Sequence, residues 1–290
     1  MRRSMLFMPG NNSGMLLNAD VLGADSIILD LEDAVSPKEK DSARILVRNA
    51  LKYISYKNCE VIIRINSIDT EYWKKDLDEI IPLKPDTIMP TKVSCAKDVQ
   101  IIADYIQFVE KKHNIKKATS IIPLIETSLG VENAFEIAMS CERVKAIFLG
   151  GEDLTADLRC KRTKKGDEIF YSRGRVVIAA RAANIAVYDT PFTDVEDEEG
   201  LRLDSEFVKS LGFTGKAVIS PRHVMCVNEV FSPTKEDIEY AYEVMEIIKV
   251  AKEQGKGAIS LRGKMIDAPI VERARQTIEM AEAIGGALNE

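Results

Sequence analysis

Residues 119–157 read TSIIPLIETSLGVENAFEIAMSCERVKAIFLGGEDLTAD. Two apolar runs, residues 120–125 and 146–149, have the length and β-branched character of buried strands. Between them, residues 130–141 carry Val131, Ala134, Phe135 and Ala138 on one helical face. A strand–helix–strand unit makes the two strands parallel neighbours, about 4.8 Å apart. Glu126 closes the first run, and Glu152-Asp153 follow the second after Gly150-Gly151. Both carboxylates then fall at the same end of one sheet, within reach of one hard cation. The alternative is that they cap the helices that follow.

The same alternation extends through most of the chain. Short apolar runs at Met5, Ser26, Glu60, Thr87, Ile185 and Lys216 are separated by helical segments at residues 13–21, 37–51, 73–80, 96–112, 170–183 and 198–211. Parallel strands of near-continuous apolar residues, each followed by a helix, predict an α/β fold, the (β/α)8 TIM barrel. An open doubly wound sheet is the rival, but PGNNSG after the first strand is a poor GxGxxG phosphate turn. Beyond Pro233 the alternation stops. Residues 235–254 read as a helix, 255–269 as a loop and 270–284 as a final helix. The expected domains are therefore a catalytic barrel over residues 1–232 and a C-terminal helical extension over 233–290, packed as a lid on the barrel or a neighbouring subunit.

Composition narrows the function. The net charge of −6 and the lack of a basic run argue against a nucleic-acid partner. No apolar stretch approaches the ~20 residues of a membrane span, and the opening MRRSMLFMPGNN has too short an apolar run for an export signal. Five scattered cysteines without CxxC spacing read as reduced thiols of a cytoplasmic protein, not a zinc site. Only His113 and His223 are available, which leaves the chemistry to carboxylates and basic residues.

Polar residues gather where the strands end: Asp30, Glu32, Asp33, Arg64, Lys92, Glu126, Glu152, Asp153 and Asp189. That end is where barrels place their active sites. Glu126 and Asp153 suit Mg²⁺, which takes one or two carboxylates and completes its octahedron with waters and a chelating substrate. Asp30, Glu32 and Asp33 would orient the metal's waters, or else cap the helix that Pro37 opens. Arg64, among apolar neighbours, is either a bidentate clamp for a substrate carboxylate or half of a structural ion pair. Lys92 reads as solvated or paired with a carboxylate. His223 reads as a capping or packing residue. On physical grounds alone, residues 263–267 are a charged loop.

The segments RSMLFMPGNN, IILDLEDAV, RIN, IETSLGVENA, FLGGEDLTADL, DTPF, LGFTGKAVISP, VFSPT and GKMIDAP span nearly the whole chain. Together they resemble the HpcH/HpaI aldolase and malyl-coenzyme A lyase superfamily of Mg²⁺-dependent C–C lyases, and within it the β subunits of bacterial citrate lyases. The resemblance implies a barrel with a C-terminal extension, assembled as a trimer or hexamer. It implies Mg²⁺ held by Glu126 and Asp153, with Arg64 on the substrate carboxylate. It also implies that Asp267 enters from an adjacent subunit as the catalytic acid/base.

The implied reaction cleaves a citryl thioester to oxaloacetate and an acetyl thioester. The thioester would be carried on acyl carrier protein or coenzyme A, with citrate lyase α and γ subunits as partners. Malyl- and citramalyl-coenzyme A lyases or thioesterases share the same hydroxy-acid chemistry and form the alternative. A non-catalytic barrel that binds a metabolite or partner is the remote one. The chain departs from the family at Pro90-Thr91-Lys92-Val93, where PKV is common, and at Ile219-Ser220-Pro221, where IHP is common. It also has Arg262 before Gly263, where an acidic or amide residue is usual.

Overall fold

The computed structural model describes residues 1–253 and 259–287. The chain divides into two compact units, Arg2–Glu229 and Val230–Glu290. In order, the strands of the first unit are β1 (Ser4–Pro9), β2 (Ser26–Asp30), β3 (Glu60–Ile65), β4 (Thr87–Pro90), β5 (Ser120–Ile121), β6 (Leu124–Ile125), β7 (Ala146–Leu149), β8 (Ala186–Asp189) and β9 (Gly215–Val218). The helices between them are α1 (Ser13–Asn18), α2 (Lys40–Tyr53), α3 (Tyr72–Ile80), α4 (Ala96–Lys112), α5 (Ser128–Glu132), α6 (Ala134–Ala138), α7 (Gly151–Asp157), α8 (Phe170–Ala182) and α9 (Glu198–Leu211). The helix α10 (Pro221–Phe231) follows β9.

Among the described residues the strands form one curled parallel sheet in the order β5-β4-β3-β2-β1-β9-β8-β7-β6. Its two end strands are consecutive in the chain. Pro123 lies between them, and without an N–H it cannot donate to a ladder. Before it, Ser120 and Ile121 pair with β4; after it, Leu124 and Ile125 pair with β7. The Pro123 carbonyl still accepts the Phe148 N–H at 3.0 Å.

Both faces of the sheet are covered, which explains the uninterrupted burial of SIILD in β2. One set of side chains, including Met5, Ile28, Ile62, Met89, Phe148 and Tyr188, packs into a single core cluster.

Local structure departs from the sequence expectation in two places here. The helix expected over residues 130–141 is broken at Asn133, whose side chain donates to the Ser94 carbonyl at 2.9 Å. Val131, Ala134 and Ala138 are buried as expected, whereas Phe135 is exposed.

Beside β8 and β9 lies a fully buried group of charges. Arg173 from α8 donates to both oxygens of Asp189, at 3.0 and 2.9 Å. Lys216 from β9 lies 2.5 Å from Asp189 and 2.7 Å from Asp204 of α9. Two cations and two carboxylates balance. Burial works against the Asp189 carboxylate, but Lys216 and Arg173 hold its pKa below the usual range.

The second unit contains α11 (Lys235–Glu253), the strands β10 (Ile259–Leu261) and β11 (Lys264–Ile266), and α12 (Ala268–Ala287). Ala241, Val244, Ile266 and Ala274 form its core. The expected loop is corrected here: β10 and β11 make an antiparallel hairpin through Arg262-Gly263, with φ of 48° and 77°. Glycine suits the second of these left-handed positions. Arg262 pairs with Glu243 of α11 at 2.8 Å. Residues 254–258, expected to end one helix and begin the loop, lie outside the described residues.

Removing one partner from the buried charge group should be costly. Lys216→Met leaves Asp189 and Asp204 sharing only Arg173, and a urea melt should show a loss of about 3–5 kcal/mol. A loss below about 1 kcal/mol would mean that the group does not help hold β8, β9 and the helices against them together.

Candidate active site

The carboxyl ends of the strands open into a cavity of about 390 Å³. Phe7, Leu124, Phe148 and Pro191 supply apolar wall, and Asp30, Asp33, Arg64, Glu126 and Asp153 supply charge.

Asp30 and Arg64 are register partners across β2 and β3, so their side chains leave the sheet side by side. Arg64 Nε donates to Asp30 Oδ1 at 2.7 Å and Nη2 to Oδ2 at 2.5 Å. The guanidinium stands 4.9 Å from the centre of the Phe7 ring, in cation–π contact. Burial works to lower the arginine's pKa, but the bonds to Asp30 and the charges of Asp30, Glu32 and Glu126 hold it above its ordinary value. Arg64 thus makes the ion pair that was the alternative to a substrate clamp, while also lining the cavity.

Asp30 further accepts the N–H groups of Glu32 and Ala34, at 2.8 and 3.0 Å. It shapes its own turn and does not cap the helix after Pro37, where Ser36 holds the cap position. The capping alternative for these acids is therefore set aside.

Glu32 is buried, and its Oε1 accepts Lys92 Nζ at 3.0 Å. Burial raises its pKa, with Arg64 and Lys92 opposing. Lys92 is a paired lysine, as the sequence suggested. Its ammonium also lies 3.9 Å from Asp33 and 3.6 Å from Asp153.

Glu126 follows β6 directly and is 4% exposed. Its Oε1 accepts the Lys92 backbone N–H at 2.7 Å. It caps no helix: Thr127 takes that role for α5 by accepting from Gly130. Burial, and next the negative charge of Asp153, push the Glu126 carboxyl up to about 8. A Cβ at Gly150 would lie 2.8 Å from Glu126 Oε2, so only glycine lets the turn after β7 pass this close. That turn carries Asp153 in the first turn of α7, with its side chain partly exposed.

Two other acids stand elsewhere. Asp189, expected at the strand-end cluster, is enclosed in the charge group with Arg173 and Lys216. Asp267 belongs to the second unit, where its Oδ1 accepts the Ile270 N–H at 3.1 Å at the start of α12. His223 is buried as a packing residue.

Two site residues escaped the sequence reading. Phe7 supports Arg64, and Thr190 accepts the Gly151 N–H at 3.0 Å. Their signal was only an aromatic and a hydroxyl near the ends of apolar runs.

Residues 3–221 match the HpcH/HpaI aldolase/citrate lyase family. The chain is a member of that family. It is 42% identical over 284 residues to the citrate lyase subunit beta of Leuconostoc mesenteroides subsp. cremoris, covering 98% of this chain and 94% of that protein. A crystal structure of CitE from Mycobacterium tuberculosis in complex with magnesium, acetoacetate and coenzyme A is similar, with a TM-score of 0.79 and 26% identity over 97% of this chain and 98% of that one. The citrate lyase beta subunit from M. tuberculosis complexed with oxaloacetate and magnesium matches at a TM-score of 0.69 and 26% identity, over 80% of this chain and 97% of that one.

The raised pKa of Glu126 gives a pH signature in protein stripped of divalent cations. The folded chain keeps a proton that the unfolded chain releases above about 4.5, so this group's contribution to stability falls as pH rises towards 8 and is flat beyond. Glu126→Gln removes that dependence. Melts across the range should show the variant gaining on wild type by up to about 1.4 kcal/mol per pH unit. Parallel pH profiles for the two proteins would show that Glu126 does not carry this burden.

Proposed function

We propose that this family member is a Mg²⁺-dependent carbon–carbon lyase that cleaves a citryl thioester to oxaloacetate and an acetyl thioester. The observation that carries the reading is the buried Glu126 carboxyl facing Asp153 at the mouth of a cavity that also holds Arg64. Among the described residues no three His, Cys, Asp or Glu side chains assemble as a metal cage. Two carboxylates beside an open cavity fit Mg²⁺, which keeps several waters or substrate oxygens among its ligands.

The sheet's order supports a closed (β/α)8 barrel: its end strands, β5 and β6, are one stretch of chain interrupted at Pro123. We take residues 1–232 as the catalytic barrel and 233–290 as the extension. Five free cysteines accord with the cytoplasm. Assembly as a trimer or hexamer, with α and γ subunits and an acyl carrier protein as partners, completes the reading.

Glu126 and Asp153 hold the cation, and Asp30, Glu32 and Asp33 orient its waters. When bound, Mg²⁺ would supply a Lewis acid that eases loss of the substrate's hydroxyl proton to solvent and steadies the negative charge on that oxygen, which passes to the thioester enolate as the C–C bond breaks. Arg64 is fixed by Asp30 through Nε and Nη2, and Nη1, 3.4 Å from Glu32 Oε2, is the nitrogen Asp30 does not engage and the one that meets the keto-acid carboxylate. Phe7, Leu124 and Phe148 keep water from the reacting carbon. Cleavage leaves an acetyl-thioester enolate, which takes its proton from a positioned acid; Asp267 of an adjacent subunit fills that role.

Three variants test these roles. Glu126→Gln and Asp153→Asn should each weaken Mg²⁺ binding by about tenfold or more and lower turnover of citryl thioester by orders of magnitude. Near-normal activity at low Mg²⁺ would remove the pair from the metal site. Asp267→Asn should leave Mg²⁺ and oxaloacetate binding intact and nearly abolish cleavage. Mixing it with Asp153→Asn under subunit exchange should restore part of the activity, since one site in the mixed oligomer is then complete. No recovery despite proven exchange would place Asp267 outside the neighbour's site.

A further inference from the structure

Helix α7 begins with an unusual deficit. The first N–H groups of a helix have no partner within it, and a side chain at the cap position commonly supplies one. Here the cap residue is Gly150, which has no side chain to offer. The acceptor comes from the next strand: Thr190, directly after β8, takes the Gly151 N–H on its Oγ1 at 3.0 Å. Thr190 is 1% exposed. A Cβ at Gly151 would lie 2.8 Å from Thr190 Oγ1 and 3.0 Å from its Cγ2, so the α7 turn is seated against Thr190 as closely as glycine allows.

Thr190 is itself held from behind. Its carbonyl accepts Lys216 Nζ at 2.8 Å, and Lys216 is locked by Asp189 and Asp204 with Arg173 bracing both carboxylates. The chain of contacts runs from the buried charge group through Thr190 to Gly151. Asp153 stands two residues further along the same helical turn. A shift of that turn would carry the Asp153 carboxylate away from Glu126.

We propose that Thr190 is a positioning residue: braced by the Lys216 group, it seats the first turn of α7 and so sets where Asp153 stands relative to Glu126. The consequence for Mg²⁺ rests on the reading of these two carboxylates as its ligands, but the seating of α7 does not. Thr190 also borders the cavity, and a hydroxyl there could instead contact substrate. The two roles differ in what they move. Seating acts on α7 and on the metal with no substrate present, whereas substrate contact acts on KM alone.

The test uses the full chain with Thr190→Val, which keeps the shape and removes the acceptor, and Thr190→Ser, which restores it. Two readouts are taken without substrate: hydrogen exchange of residues 151–157 in metal-free protein, and Mg²⁺ affinity by calorimetry. Thr190→Val should speed exchange in that segment and weaken Mg²⁺ binding by about tenfold, while Thr190→Ser stays within about twofold of wild type on both. Thr190→Ala removes the same acceptor and takes the place of the valine variant if that fails to fold. Unchanged exchange in α7 overturns the proposal, as does a higher KM with Mg²⁺ affinity intact. A wild type that binds no Mg²⁺ overturns the metal reading, and the exchange data then judge the seating of α7 separately.

Discussion

The parallel register of β6 and β7 brings two carboxylates together. Ile125 and Leu149 are direct partners in that ladder, so the residues that follow them leave the sheet at the same level. Glu126 is the first after β6; Gly150 and Gly151 then turn the chain into α7 and deliver Asp153. Burying a carboxylate beside another is unfavourable without a cation, and the cost is visible in the raised pKa of Glu126. Lys92 relieves it only in part, because its ammonium is shared with Glu32 and Asp33.

Charge balance separates this site from the rest of the interior. The group at β8 and β9 sets Arg173 and Lys216 against Asp189 and Asp204, two against two. Among the described residues, Asp30, Glu32, Asp33, Glu126 and Asp153 around the cavity face Arg64 and Lys92, with the Lys40 ammonium behind Glu32, five carboxyl groups to three cations. The first arrangement is closed and serves stability. The second is short of positive charge, a deficit that a divalent cation with its waters would correct without a dedicated cage. The structure therefore leaves its uncompensated charge at the cavity and neutralises it next door.

Much of this was legible in the residues. Apolar runs ending on acids placed Glu126, Asp153, Asp30 and Arg64 at one end of a parallel sheet, because strand period and strand-end polarity are local properties. What depended on distant partners was not legible. Asp189 looks like Asp30 in sequence, a carboxylate closing an apolar strand. Only the arrival of Arg173, Lys216 and Asp204 from other elements makes it structural. Thr190 was missed because its role is to complete a helix that begins on glycines, a need that appears only when β8 lies beside the turn. The hairpin at residues 259–266 was hidden because Arg262-Gly263 looks the same in a loop as in a two-residue turn.

The claim that Glu126 and Asp153 are arranged for one divalent cation is tested most directly by anomalous scattering from crystals grown with Mn²⁺, which shares the oxygen-ligand preference of Mg²⁺. A single strong anomalous peak bonded to both the Glu126 and Asp153 carboxylates is the predicted result. No peak at saturating Mn²⁺, or a peak coordinated by other acids with Glu126 left unbound, would contradict it.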